Sequence, residues 1–128
     1  MQNVLLVTVD SLRADRVNER VMPKTAAFAE GALSFTDAVA NGPSTPASFP
    51  AIHASRHFAS IEGLGIPESG GNIVTLAEQF SDAGYLTAGF TDNHFASSDY
   101  HFGRGFDTFH DASGSMDTGR LKQTVQSN

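Results

Sequence analysis

The sequence of 128 residues has no cysteine and no tryptophan. Without cysteine there is no disulfide framework, no thiol nucleophile and no thiolate zinc site. Basic residues are scarce as well: 8 Lys and Arg stand against 14 Asp and Glu, for a formal charge of −6. Only Lys24 and Lys122 are lysines, and no basic run occurs, so the composition argues against a nucleic-acid partner. Long hydrophobic runs are missing too. The apolar stretch at residues 4–9 is broken by Thr8 and stopped by Asp10, too short for a membrane span and wrong for a signal peptide. The expected setting is therefore cytoplasmic, away from membranes. What remains, 40% apolar and 17% charged residues, is the composition of one folded globular domain.

Apolar and turn-forming residues alternate in an α/β order. Residues 3–9 form a short β-branched run, the pattern of a strand buried on both faces. Residues 23–30, with Pro23 early and Gly31 after, predict a helix, and residues 32–36 a second strand. The turn formers at 41–46 precede another helix over 47–55, with Thr45 as N-cap, Pro46 at its first position and Pro50 straining its early part. Residues 61–72 read as an irregular surface loop, 75–80 as a helix closed by Gly84, and 85–90 as a strand. Beyond Thr91 the pattern fades, and the tail at about 113–128 is expected to be loosely held.

Two places suit chemistry. Asp10 and Ser11 lie at the carboxyl end of the first expected strand, where open α/β sheets bind ligands. The Gly42-Pro43-Ser44-Thr45-Pro46 turn places a hydroxyl at a helix start, where backbone N–H groups and the helix dipole favour an anion. Carboxylate and hydroxyl oxygens suit a hard divalent cation. Each feature alone also has a plain reading, as a turn former and a helix cap.

Four blocks taken together go further. The run from Asn3 through Asp10-Ser11-Leu12-Arg13-Ala14-Asp15 resembles the opening strand of the sulfatase family, in the alkaline phosphatase superfamily. Residues 22–38, residues 75–90 and Gly105-Phe106-Asp107-Thr108-Phe109 are similar to that family's next three blocks, in order. The resemblance implies an alkaline-phosphatase-like three-layer α/β/α sandwich, here only its amino-terminal part, truncated after the first few strands. It also implies metal-dependent hydrolysis of sulfate esters, with Asp10 as a metal ligand and Ser11 beside it where many members have a second aspartate. Calcium is the first expectation, with magnesium, manganese or zinc as alternatives.

The nucleophile departs from the family pattern. A Cys or Ser in Cys/Ser-x-Pro-x-Arg, oxidised to formylglycine, is usual; here Ser44 leads Ser44-Thr45-Pro46-Ala47-Ser48, with Ser48 in place of Arg. Aligning Ala54-Ser55-Arg56 with the family's Thr-Gly-Arg puts Thr45 at the nucleophile position, as in the superfamily's phosphodiesterases and phosphotransferases. Thr45 is favoured and Ser44 is kept as the alternative. Arg13 and Asp15 are candidates for the surroundings of the substrate, although such a pair is usually structural. His94 in Asp92-Asn93-His94 is read as a loop residue and retained only as an outside candidate, and His53 and His57 as helix positions without a third ligand.

The expected activity is sulfuric ester hydrolysis on a small anionic ester. Phosphodiesterase or phosphotransferase chemistry and a non-catalytic anion-binding α/β module are the alternatives. As the amino-terminal part of the domain, the chain is expected to be inactive by itself, to need the remainder of the domain, and to associate through an exposed sheet edge.

Overall fold

Proline and glycine punctuate the helices as their backbone chemistry dictates. The computed structural model describes residues 2–61, 63–68, 72–111 and 116–117. The chain divides into two units, Met1–Val39 and Ala40–Asn128.

In the first unit a 3₁₀ turn at Ala14–Arg16 leads to Asn18. The Asn18 Oδ1 accepts from the N–H groups of Arg20 at 3.0 Å and Val21 at 3.1 Å, while its Nδ2 donates to the Asp15 carbonyl at 2.8 Å. This side-chain turn delivers the chain to helix α1 (Pro23–Glu30), with Pro23 at the helix start and Gly31 as its C-cap. Both strands expected here are absent. Residues 3–9 take no regular secondary structure, and Leu5 and Leu6, which would face opposite sides of a strand, are 87% and 51% exposed. Residues 32–36 also form no strand, with Leu33 and Phe35 exposed. A strand is completed by a ladder partner, not by its own composition, and no described residue of this unit pairs with either segment.

The second unit holds helix α2 (Thr45–Ala54), helix α3 (Leu76–Asp82), and strands β1 (Ala88–Phe90), β2 (Thr108–His110) and β3 (Met116–Asp117). Ser44, not Thr45, is the N-cap of α2, so Thr45 is the first helical residue; Pro50 lies buried inside the helix. Helix α3 starts on a capping box: the Thr75 hydroxyl accepts from the Glu78 N–H at 3.1 Å and the Glu78 carboxylate accepts from the Thr75 N–H at 2.8 Å. The sheet order is β1-β2-β3, with β1 and β2 parallel in the register Gly89↔Phe109 and β2 and β3 antiparallel. The β1–β2 crossover carries two 3₁₀ turns, His94–Ala96 and Ser98–Tyr100. Helices beside a parallel strand pair make this an α/β fold. Of the tail at 113–128, only Met116–Asp117 falls within the described residues, as β3.

The core gathers Ala54, Ile66, Ala96, Phe102 and Phe109, with Phe49, Ile73, Tyr100 and Phe106 packed against it. Ile66, in the loop expected at the surface, is 1% exposed. The third and fourth sequence blocks are locked together. Asp107 accepts from the Thr87 N–H at 2.8 Å and its hydroxyl at 3.1 Å, and Gly105 (φ +89°) runs so close to α3 that a Cβ would lie 2.4 Å from the Glu78 nitrogen.

Arg104 ties this region to the preceding loop. Its guanidinium donates to the carbonyls of Pro67 at 2.6 Å and of Ile73, and to Glu78 Oε2 at 3.0 Å. Its Nε forms an ion pair with Glu78 Oε1 at 2.9 Å, off the axis of a hydrogen bond. Burial raises the Glu78 pKa, but the Thr75 N–H and Arg104 outweigh it and hold the carboxyl below its ordinary 4.5. Arg104→Ala leaves two carbonyls and a partly buried carboxylate short of donors. It is expected to cost about 2–4 kcal/mol of stability in urea unfolding; a loss under about 0.5 kcal/mol would show that solvent replaces the clamp.

Candidate functional site

Thr45 stands at the first turn of α2, half-buried, with exposed Ser44 before it. The Ser44 carbonyl accepts from the N–H groups of Ala47 at 3.1 Å and Ser48 at 3.0 Å, while its side chain makes no capping bond. Asn93, at the start of the crossover after β1, donates from Nδ2 to Thr45 Oγ1 at 3.2 Å. Its own amide is fixed end for end: Oδ1 accepts from the Phe95 N–H at 2.9 Å, leaving Nδ2 to face Thr45. The Asn93 N–H in turn reaches Thr91 Oγ1 at 3.2 Å. Donation into a hydroxyl oxygen favours its deprotonated form, so the contact suits a hydroxyl that acts as a nucleophile.

The sequence does not single out Asn93: Asp92-Asn93-His94 looks like a metal triplet in which His94 is the residue weighed for the site, although a residue just past the carboxyl end of a strand is placed for ligands whatever its type. His94 itself is exposed; its Nδ1 lies 4.0 Å from Asp99 Oδ2 and its ring packs edge-on to Tyr100.

Asp10 and Ser11 belong to the first unit. Both are exposed, in a turn where Ser11 takes the left-handed φ of 57°, uncommon for a residue with a Cβ. Arg13 and Asp15 form a two-pronged pair, Nε to Oδ1 at 2.9 Å and Nη2 to Oδ2 at 3.1 Å. This pairing raises the Arg13 pKa and lowers that of Asp15. The donor types at Asp10 and Ser11 match a hard divalent cation. Among the described residues, however, no three His, Asp or Glu side chains gather to hold one, so Asp10 offers one ligand and not a completed site. A shallow cleft of about 250 Å³ lined by Ser98, His101, Arg104 and Phe106 lies apart, without Thr45 or Asn93 in its wall.

Further along α2, the His53 ring stacks on Phe49 and meets Phe102 edge-on, each with its centroid 5.6 Å away, and the two phenylalanines also touch each other. Burial lowers its pKa below the ordinary 6.5. In the unfolded chain the imidazole takes a proton near pH 6.5, whereas in the folded chain it does so only at lower pH. The contribution of His53 to stability is therefore complete above about pH 6.5 and lost as pH falls through the folded value. Urea midpoints should drop on acidification, and His53→Phe should flatten that drop; an equal drop in both proteins would place the acid sensitivity elsewhere.

The sulfatase family profile matches residues 2–127. Comparison with curated proteins and with solved structures gave no significant match. The profile spans all four sequence blocks, and the chain belongs to the sulfatase family, hydrolase-type enzymes of alkaline-phosphatase-like α/β fold that generally bind a divalent metal.

Proposed function

We propose that the chain forms part of a hydrolase for small anionic sulfate esters in which Thr45 is the nucleophile. The supporting observation is the Asn93 Nδ2 donation to Thr45 Oγ1 at the head of α2. Oγ1 attacks the ester sulfur and gives up its proton as the S–O bond to the alcohol breaks; the alcohol departs protonated. Water then attacks the sulfur of the threonyl sulfate ester, releasing sulfate and restoring the hydroxyl. Asn93 steadies the oxygen while it carries negative charge. Asp10 would supply one oxygen ligand to a divalent cation, calcium in the first instance, and such a cation would neutralise negative charge of the ester. The complete catalytic domain is a three-layer α/β/α sandwich in which this chain is the amino-terminal part.

Phosphoester chemistry is the second reading, and a specific feature favours it. Thr45 takes the place of the oxidisable Cys or Ser that resemblance to the family's motif leads one to expect. The deciding experiment compares aryl sulfate with aryl phosphate diester in the protein that contains residues 1–128. A kcat/KM larger for the sulfate supports the sulfatase reading; a larger value for the diester transfers the same machinery to phosphorus. Turnover of neither assigns the chain to the non-catalytic alternative.

A further inference from the structure

The head of α2 lacks the device that most often fixes a helix start. The N-cap side chain of Ser44 makes no capping hydrogen bond, and Pro46 has no N–H to donate to it. Another contact stands in its place: Ser48 Oγ donates to the Gly42 carbonyl at 2.8 Å, across six residues. Gly42 also lies so close to the helix that a Cβ would fall 2.3 Å from the Ala47 Cβ. Residues 42–48 are thereby closed into a ring that has Thr45 at its middle.

We propose that Ser48 is a positioning residue for Thr45: by holding the Gly42 carbonyl, it keeps the Thr45 hydroxyl against Asn93. This inference rests on the nucleophile reading above and adds a role for a position that resemblance in the Ser44 register alone would mark as a lost arginine. The Ser48 hydroxyl proton is committed to a carbonyl inside the ring, so this side chain orders the backbone instead of supplying charge to an anion. Gly42 and Ser48 act as one unit, the first by allowing the close approach and the second by fastening it.

The ring is tested first without turnover. In Thr45→Val the Asn93 side-chain amide loses Thr45 Oγ1 as an acceptor, and its ¹⁵N–H₂ signals define the position they take without that contact. Ser48→Ala is expected to move those signals toward that position and speed their exchange with solvent, while Ser48→Thr, which retains the hydroxyl, leaves them in place. Gly42→Ala, which opens the ring from its other side, makes the same comparison if Ser48→Ala does not fold. Asn93 signals unchanged in the folded variant overturn the proposal. In the protein that contains residues 1–128, Ser48→Ala should lower kcat by roughly tenfold with KM within about twofold, since misplacement of a reacting atom affects the chemical step. An unchanged kcat overturns it equally. Full turnover in Thr45→Ala removes the nucleophile reading instead and leaves the ring to be judged by the amide signals.

Discussion

Replacing Thr45 with alanine should lower aryl ester turnover by at least about a thousandfold, because the oxygen proposed to bond to sulfur or phosphorus is gone. Thr45→Ser should retain turnover within about tenfold, since it retains the oxygen and loses only a methyl group. Ser44→Ala should change it little: Ser44 is exposed, and its contribution to the helix start comes from its backbone carbonyl. Asn93→Ala should sit between these cases, about a hundredfold down, as expected for loss of one donor aimed at a charged oxygen. Steady-state kinetics of the four variants check the whole pattern, and full activity in Thr45→Ala would eliminate the nucleophile.

The second large effect is expected at Asp10. Asp10→Asn retains the shape of the side chain and one oxygen but removes the negative charge that attracts a hard cation. Calcium binding, followed by calorimetry in the protein that contains residues 1–128, should weaken by at least about a hundredfold, more than the loss of a group that only supports a ligand. Chelation should abolish turnover in the unsubstituted protein, and added calcium should restore it. Ser11→Ala should weaken binding far less, because a neutral hydroxyl is a poorer ligand than a carboxylate. Equal calcium affinity in Asp10→Asn and the unsubstituted protein would remove Asp10 from the metal site.

Local features of the chain were the readable ones. Helix α1 is announced by Pro23 and Gly31, and α3 by the residues after Thr75 and by Gly84, because caps and breakers act within a few residues of themselves. Strands are different. Residues 3–9 have a strand's composition and form none, whereas β2, with no distinctive pattern, is a strand because β1 lies beside it in register. The expected strand at 85–90 shrinks to Ala88–Phe90 for the same reason. At the candidate site, the turn and Thr45 stand out in sequence through the crowding of Gly42, Pro43 and Pro46. Asn93 does not, since its meaning comes from a contact across 48 positions of chain. Ser48 was visible only as a departure from a family motif, and its bond to Gly42 gives that departure a physical content.

The most direct test of the central claim is a rapid acid quench of the protein that contains residues 1–128 during turnover of an aryl sulfate, followed by peptide mass analysis. The account predicts one sulfuryl group on the peptide bearing Thr45, located on Thr45 by fragmentation and lost in Thr45→Ala. A sulfuryl group on Ser44, or turnover of the ester with no esterified peptide at any quench time, would contradict it.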